Sequence, residues 1–160
     1  MHGGILEWIH DTGAGHLVRN VFWIAPTLEV LHFVGMSLLV GGLCVIDLSV
    51  LRLIRGLPMD LLRKVLPWIL LGFGINLITG TLLFAAAPYA FAFNIAFRAK
   101  LLFIVLAGVN ALGFWRLARV HSAGLIGFHH SGAAKALSAL SVLLWLSVIA
   151  CARLIPFAPG

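Results

Sequence analysis

Four long runs of apolar residues dominate the chain, and short stretches holding most of its charges separate them. The runs cover about residues 21–53, 66–87, 99–118 and 136–155. Because a helix needs about 20 mostly apolar residues to cross a bilayer, each run is predicted to be a membrane-spanning helix. Pro58 and Pro67 bracket a short amphipathic piece between the first two runs. The pattern therefore predicts an all-α fold, an integral membrane four-helix bundle, with residues 1–160 in a single membrane domain.

The stretch before the first run has a different character. "ILEWIHDTGAGHLVRNVFW" mixes apolar, charged and aromatic residues and is too polar to cross a membrane. Trp8, Phe22 and Trp23 are typical of the headgroup region. We expect an interfacial segment that lies on the membrane surface and is broken near Gly13 and Gly15.

Composition supports a membrane setting and excludes one class of partner. The chain is 62% hydrophobic and 10% charged, with a mean hydropathy of +1.10, whereas soluble domains carry roughly 25% charged residues. The formal net charge is +6. The basic residues lie at the ends of the apolar runs, as membrane anchors do, and form no basic stripe. We therefore expect contacts with membrane lipid and none with nucleic acid.

The basic residues also predict the orientation of the spans. Short cytoplasmic loops are enriched in Lys and Arg. Seven basic residues lie on one side of the predicted membrane and four on the other. The seven are Arg52, Arg55, Arg63, Lys64, Arg116, Arg119 and Lys135, and the four are Arg19, Arg98, Lys100 and Arg153. The side with seven is predicted to be cytoplasmic, with both termini outside.

Polar side chains form a stripe along the first run. Residues of a helix advance about 100° each, so Glu29, His32, Met36 and Asp47 share one face. Ionisable groups facing lipid would cost several kcal/mol. We therefore expect the stripe to face the bundle interior, where Gly35, Gly41 and Gly42 would allow neighbouring helices to approach closely.

Three other polar residues are predicted to lie in that interior, and the set has two interpretations. Asn76 lies in the second run, and Lys100 and Asn110 lie in the third. In the first interpretation, Glu29 and Asp47 pair with Lys100, Arg52 or Arg116, and the asparagines join helices by hydrogen bonds. In the second, His32 is a ligand or a proton-transfer group, since ionisable residues inside membranes usually have a function.

Spacing limits which ligand His32 could share. His32 and Asp47 are 15 residues apart, about 22 Å along a helix, so one ion cannot contact both. His32 and Met36 are one turn apart, and Glu29 precedes His32 by three residues. A carboxylate, an imidazole and a thioether suit copper better than magnesium or calcium. These three residues are the predicted metal ligands.

Haem and catalysis have weaker support in the sequence. The second, third and fourth runs contain no interior histidine, so only His10 or His16 could join His32 in a bis-histidine haem site. The adjacent histidines His129 and His130 are interpreted as solvated loop residues. No nucleophile elbow, phosphate loop, paired carboxylates or C-x-x-C motif is present, and we expect a non-catalytic protein.

A resemblance to a known family covers about 130 of the 160 residues. "FWIAPTLEVLHFVGMSLLVGGLCVIDL", "VLPWILLGFGINLITGTLLF" and "FNIAFRAKLLFIVLAGVNALGFW" resemble a family of small, uncharacterised bacterial inner-membrane proteins with an E-x-x-H-x-x-G motif. That motif falls on Glu29, His32 and Gly35. The helical layout is loosely similar to that of copper-resistance protein D. Relatives often have His at the place of Trp115, which this chain lacks.

The expected function combines these observations. We expect a bacterial inner-membrane protein with a polar site near its outer face that binds or transfers a transition metal, copper in the first instance. The alternatives are a haem- or quinone-linked electron-transfer subunit and a structural anchor of a larger membrane complex. The sequence leaves open whether copies of the chain associate with one another.

Overall fold

The computed structural model describes residues 4–54, 59–120 and 131–158, and every regular element within them is helical. Seven α-helices follow one another: α1 (Gly4–His10), α2 (Gly13–Asn20), α3 (Ile24–Val50), α4 (Met59–Ala86), α5 (Pro88–Ala92), α6 (Ile95–Val120) and α7 (Gly132–Leu154). A 3-10 turn, Ile155–Phe157, follows α7. The predicted all-α class is confirmed. Arg55 and the histidines His121, His129 and His130 lie outside the described residues.

Four of the helices are long and apolar enough to cross a membrane: Ile24–Val50, Lys64–Ala86, Ile95–Arg119 and Gly132–Phe157. They correspond to the four predicted spans, with shifted ends. The first begins at Ile24 because the chain turns at residues 21–23. The second belongs to a helix that starts at Met59 and runs through Pro67. Membrane helices tolerate proline in this way when neighbouring groups satisfy the backbone.

The chain divides into two compact units. The first contains Met1–Gly42 and Val65–Asn94, and so holds α1, α2, the first part of α3, most of α4 and α5. The second contains Leu43–Lys64 and Ile95–Ala158, and so holds the end of α3, the start of α4, α6 and α7.

In the first unit, α3 and α4 cross at glycines. A Cβ atom added to Gly72 of α4 would lie 2.6 Å from the Gly35 carbonyl oxygen and 2.7 Å from the Leu39 backbone nitrogen of α3. Gly42 likewise lies against Ile69. The expected role of Gly35 and Gly42 in close approach is therefore confirmed. The same expectation for Gly41 is wrong, because no atom of another described element lies within 4 Å of its Cβ position.

The N-terminal segment forms two short helices that meet at Thr12. The Thr12 hydroxyl donates to the Ile9 carbonyl oxygen (2.7 Å) at the end of α1 and accepts from Gly15 N–H (3.3 Å) at the start of α2. Thr12 is thus the N-cap of α2. The break falls at Asp11 and Thr12, just before Gly13, whereas Gly15 lies inside α2.

Arg19 fastens this segment to the end of α4. Its guanidinium donates to the carbonyl oxygens of Ala86 (3.2 Å) and Ala85 (3.4 Å), and also to that of His10 (2.8 Å). A cation is favourable at a helix C-terminus, where the last carbonyl groups lack partners within the helix. Trp8, Phe22 and Trp23 remain exposed, as the predicted headgroup contacts require.

In the second unit, α3, α6 and α7 pack through small side chains near the end of α3. Val50, Ala118 and Ala134 are 1%, 2% and 0% exposed and form an apolar cluster, with Phe114 and Leu137 packed against it. Asn110 of α6 donates from Nδ2 to the Leu137 carbonyl oxygen of α7 (3.0 Å). This hydrogen bond joins two helices, as predicted for Asn110.

Candidate functional site

His32 is held by a hydrogen bond from α3 to α4. Its Nδ1 atom lies 2.8 Å from the Thr79 hydroxyl oxygen. Thr79 is 3% exposed, and His32 is half-buried. Gly80 adjoins the ring, since a Cβ atom there would lie 3.3 Å from His32 Cε1. The hydrogen bond to Thr79 positions the imidazole between α3 and α4, and the absence of a side chain at Gly80 leaves room for the ring.

The Thr79 hydroxyl favours one tautomer of the ring. Its oxygen lies 2.7 Å from the Ile75 carbonyl oxygen, to which it donates its proton. A hydroxyl group has only one proton, so with that proton directed to Ile75 the donor of the bond between His32 and Thr79 is His32 Nδ1. In the neutral imidazole the lone pair that can bind a ligand then lies on Nε2. Metal-bound histidines usually donate from the other ring nitrogen in this way.

The other predicted metal ligands lie on the same helix in different environments. Glu29 is exposed, and Met36 is half-buried. The polar stripe of α3 was expected to be interior along its whole length. This holds for His32, Met36 and Asp47, which are at least half-buried, and not for Glu29. Glu29 departs because it lies near the start of α3, where a carboxylate can reach the water interface.

The remaining predicted polar residues are described within their own units. Asn76 donates from Nδ2 to the Gly72 carbonyl oxygen (2.9 Å) of its own helix, so its predicted hydrogen bond between helices is wrong. Lys100 and Asn110 belong to the second unit, where Lys100 is half-buried. In the described ranges, the ion pair found joins His10 and Asp11 (3.0 Å). Pairing of Asp47 with Arg52 or Arg116 is therefore not observed there.

The candidate metal ligands in the described residues are His32 and the residues near it in sequence. Across residues 4–54, 59–120 and 131–158, no group of three or more His, Cys, Asp or Glu side chains is arranged to hold a metal ion. A site at His32 would therefore depend on Met36 and Glu29 for its further protein ligands. The copper assignment stays a prediction.

Asp47 lies at a second polar position. Its distance from His32 along α3 had already indicated that the two residues cannot share one ion. Asp47 is 6% exposed and interacts with the hydroxyl groups of Ser141 and Ser138 of α7. The sequence reasoning had missed both serines. Their three-residue spacing, which places them on one face of a helix, was the available signal.

Comparison of the chain with protein-family models, with curated proteins and with solved structures found no match. Functional inference therefore depends on the chain's own residues.

Proposed function

We propose that this chain is a non-catalytic multi-pass membrane protein that binds a transition-metal ion, copper, through Nε2 of His32. The observation that carries the proposal is the hydrogen-bond chain from His32 Nδ1 through the Thr79 hydroxyl to the Ile75 carbonyl oxygen. This chain would hold the ring in the tautomer that carries its lone pair on Nε2, one of the two ring nitrogens through which histidine binds metals. A ring already oriented also loses less entropy when it binds.

Met36 and Glu29 supply the other donors of the proposed site. Met36 follows His32 by one helical turn and provides a polarisable thioether for a soft copper ion. Glu29 precedes His32 and is exposed, so its carboxylate can contact an ion that enters from water. The three donors follow one another along one side of α3, from the exposed Glu29 to the half-buried His32 and Met36. This order suits a site that accepts an ion at the membrane surface.

Metal analysis of the protein purified in detergent tests the proposal. Copper(I) titration under anaerobic conditions should give stoichiometric binding to the unmodified chain. His32→Ala should abolish binding, and Met36→Leu and Glu29→Gln should weaken it. His16→Ala removes an exposed histidine of α2 and is the matched control, which should bind copper normally.

The same preparation distinguishes the alternatives. A Soret band that His32→Ala removes, without copper binding, would replace the copper proposal with a haem protein. Co-purification of stoichiometric partner subunits without either ligand would instead favour a structural anchor. If the unmodified chain binds neither copper nor haem, or if His32→Ala binds as well as the unmodified chain, the ligand role of His32 is wrong.

We further propose that the protein lies in a bacterial plasma membrane with both termini outside, so that the His32 site opens outward. The support is the seven-to-four distribution of basic residues. In a background with Cys44→Ala and Cys151→Ala, a membrane-impermeant thiol reagent should label a cysteine placed at Gly4 in intact cells. A cysteine placed at Arg55 should react only after lysis. The reverse pattern would invert the topology.

A further inference from the structure

We propose that Asp47, Ser138 and Ser141 form a binding site for an alkali-metal cation, with sodium as the probe ion. The site lies in the second unit and does not depend on the proposed role of His32. It would give this membrane protein a second ligand of a different chemical class, since its donors are all hard oxygen atoms.

The first observation is a buried carboxylate that has no cationic side chain beside it among the described residues. Asp47 is 6% exposed and lies in a helix that is long and apolar enough to cross a membrane. No Lys, Arg or His side chain in the described ranges comes within 4.0 Å of the carboxylate. An uncompensated charge in such a place is costly, so buried carboxylates are paired, metal-bound or protonated.

The second observation is a buried hydroxyl group that makes no hydrogen bond to any described residue. Ser138 is 1% exposed, and the hydroxyl in question is its Oγ atom. Val50, three residues after Asp47 in α3, belongs to the same apolar cluster as Ala134, four residues before Ser138 in α7. Asp47 and Ser138 therefore lie about one turn from the place where the two helices pack, and Ser141 lies on the same face of α7 as Ser138. Ser138 and Ser141 both act on the Asp47 carboxylate, so the three side chains offer oxygen atoms to one ion.

Charge selects the valence of the ion. The site offers one carboxylate and neutral hydroxyl groups, so a monovalent cation brings its net charge to zero, whereas a divalent cation would leave a buried positive charge. Hydroxyl and carboxylate oxygens suit hard cations and disfavour soft metals such as copper. The site therefore differs from the His32 site in the ion that it selects.

An apolar cluster lies between the Asp47 carboxylate and the C-terminal end of α3. Val50 lies three residues beyond Asp47, and it packs with Ala118 and Ala134 in the apolar cluster of the second unit. Ala134 precedes Ser138 by one turn of α7, so the cluster covers one side of the proposed site. Asn110 holds α6 to α7 at the neighbouring Leu137, and its own Oδ1 atom is buried and lacks a partner among the described residues.

Thermal unfolding of the detergent-purified chain tests the inference. Replacing choline by sodium at constant ionic strength and neutral pH should raise the melting temperature by about 5 °C once sodium exceeds its Kd by roughly 100-fold. Asp47→Asn should remove the sodium response, and Ser138→Ala should reduce the apparent sodium affinity. Potassium and lithium titrations then rank the alkali-metal ions.

A matched control and two contrary outcomes make the test decisive. Ser147→Ala removes a hydroxyl of α7 that donates to the Leu143 carbonyl oxygen (2.9 Å) of its own helix, and it should keep the full sodium response. If the unmodified chain shows no sodium response, or if Asp47→Asn retains it, the inference is wrong. If stability responds to pH but not to sodium, and Asp47→Asn removes the pH response, a proton neutralises Asp47 and the sodium site is wrong.

Discussion

Gly72→Ala should destabilise the protein, although it adds only one methyl group. The new Cβ atom would lie 2.6 Å from the Gly35 carbonyl oxygen and 2.7 Å from the Leu39 nitrogen. Both are backbone atoms, so α3 and α4 must move apart. Overpacking of this kind costs about 1–3 kcal/mol, which exceeds the gain of up to about 1 kcal/mol from replacing glycine by alanine in a helix.

Gly74→Ala is the matched control for this prediction. Gly74 lies two residues away in the same helix, and no atom lies within 4 Å of its Cβ position. The substitution should leave stability unchanged or raise it slightly. Unfolding by a denaturing detergent, followed by circular dichroism, measures both variants. Equal stability of the two variants would show that the α3–α4 crossing does not depend on glycine at position 72.

The class of the fold was predictable because membrane insertion depends on local composition. Each span needs only a long enough apolar run, and the four runs could be read without knowing their neighbours. The ends of the spans were less predictable. The second span was predicted to start at about residue 66, yet its helix starts at Met59 and continues through Pro67, because the surroundings of a membrane helix decide whether proline interrupts it.

The candidate site was only partly predictable from the sequence. Periodicity predicts which side chains share one face of a helix, but it does not predict which residues of other helices they contact. The angular positions of His32 and Asp47 indicated burial, and both are at least half-buried. The same angles grouped Glu29 with them, although it is exposed. The bond from His32 to Thr79 depends on the rotation of α4 about its own axis. That rotation is fixed by the contact of Gly72 with Gly35, which no pattern within one helix reveals.

Thr79→Val should weaken ligand binding at His32 by roughly 10- to 100-fold, the usual effect of removing the hydrogen-bond partner of a metal-bound histidine. Valine keeps the shape of threonine but cannot accept the proton of His32 Nδ1. The ring then loses its fixed tautomer and orientation. Thr79→Ser retains the hydroxyl and should bind nearly as well as the unmodified chain.

A spectroscopic measurement separates this effect from loss of structure. Nitrogen-15 NMR of histidine-labelled, ligand-free protein should show His32 protonated at Nδ1, and Thr79→Val should populate the Nε2-protonated tautomer. Thr81→Val is the control, because the Thr81 hydroxyl donates to the Leu77 carbonyl oxygen (2.7 Å) on an exposed part of α4. If Thr79→Val leaves the His32 tautomer unchanged, the Thr79 hydroxyl does not determine which ring nitrogen of His32 carries the proton. The proposed metal site would then lose its main structural support.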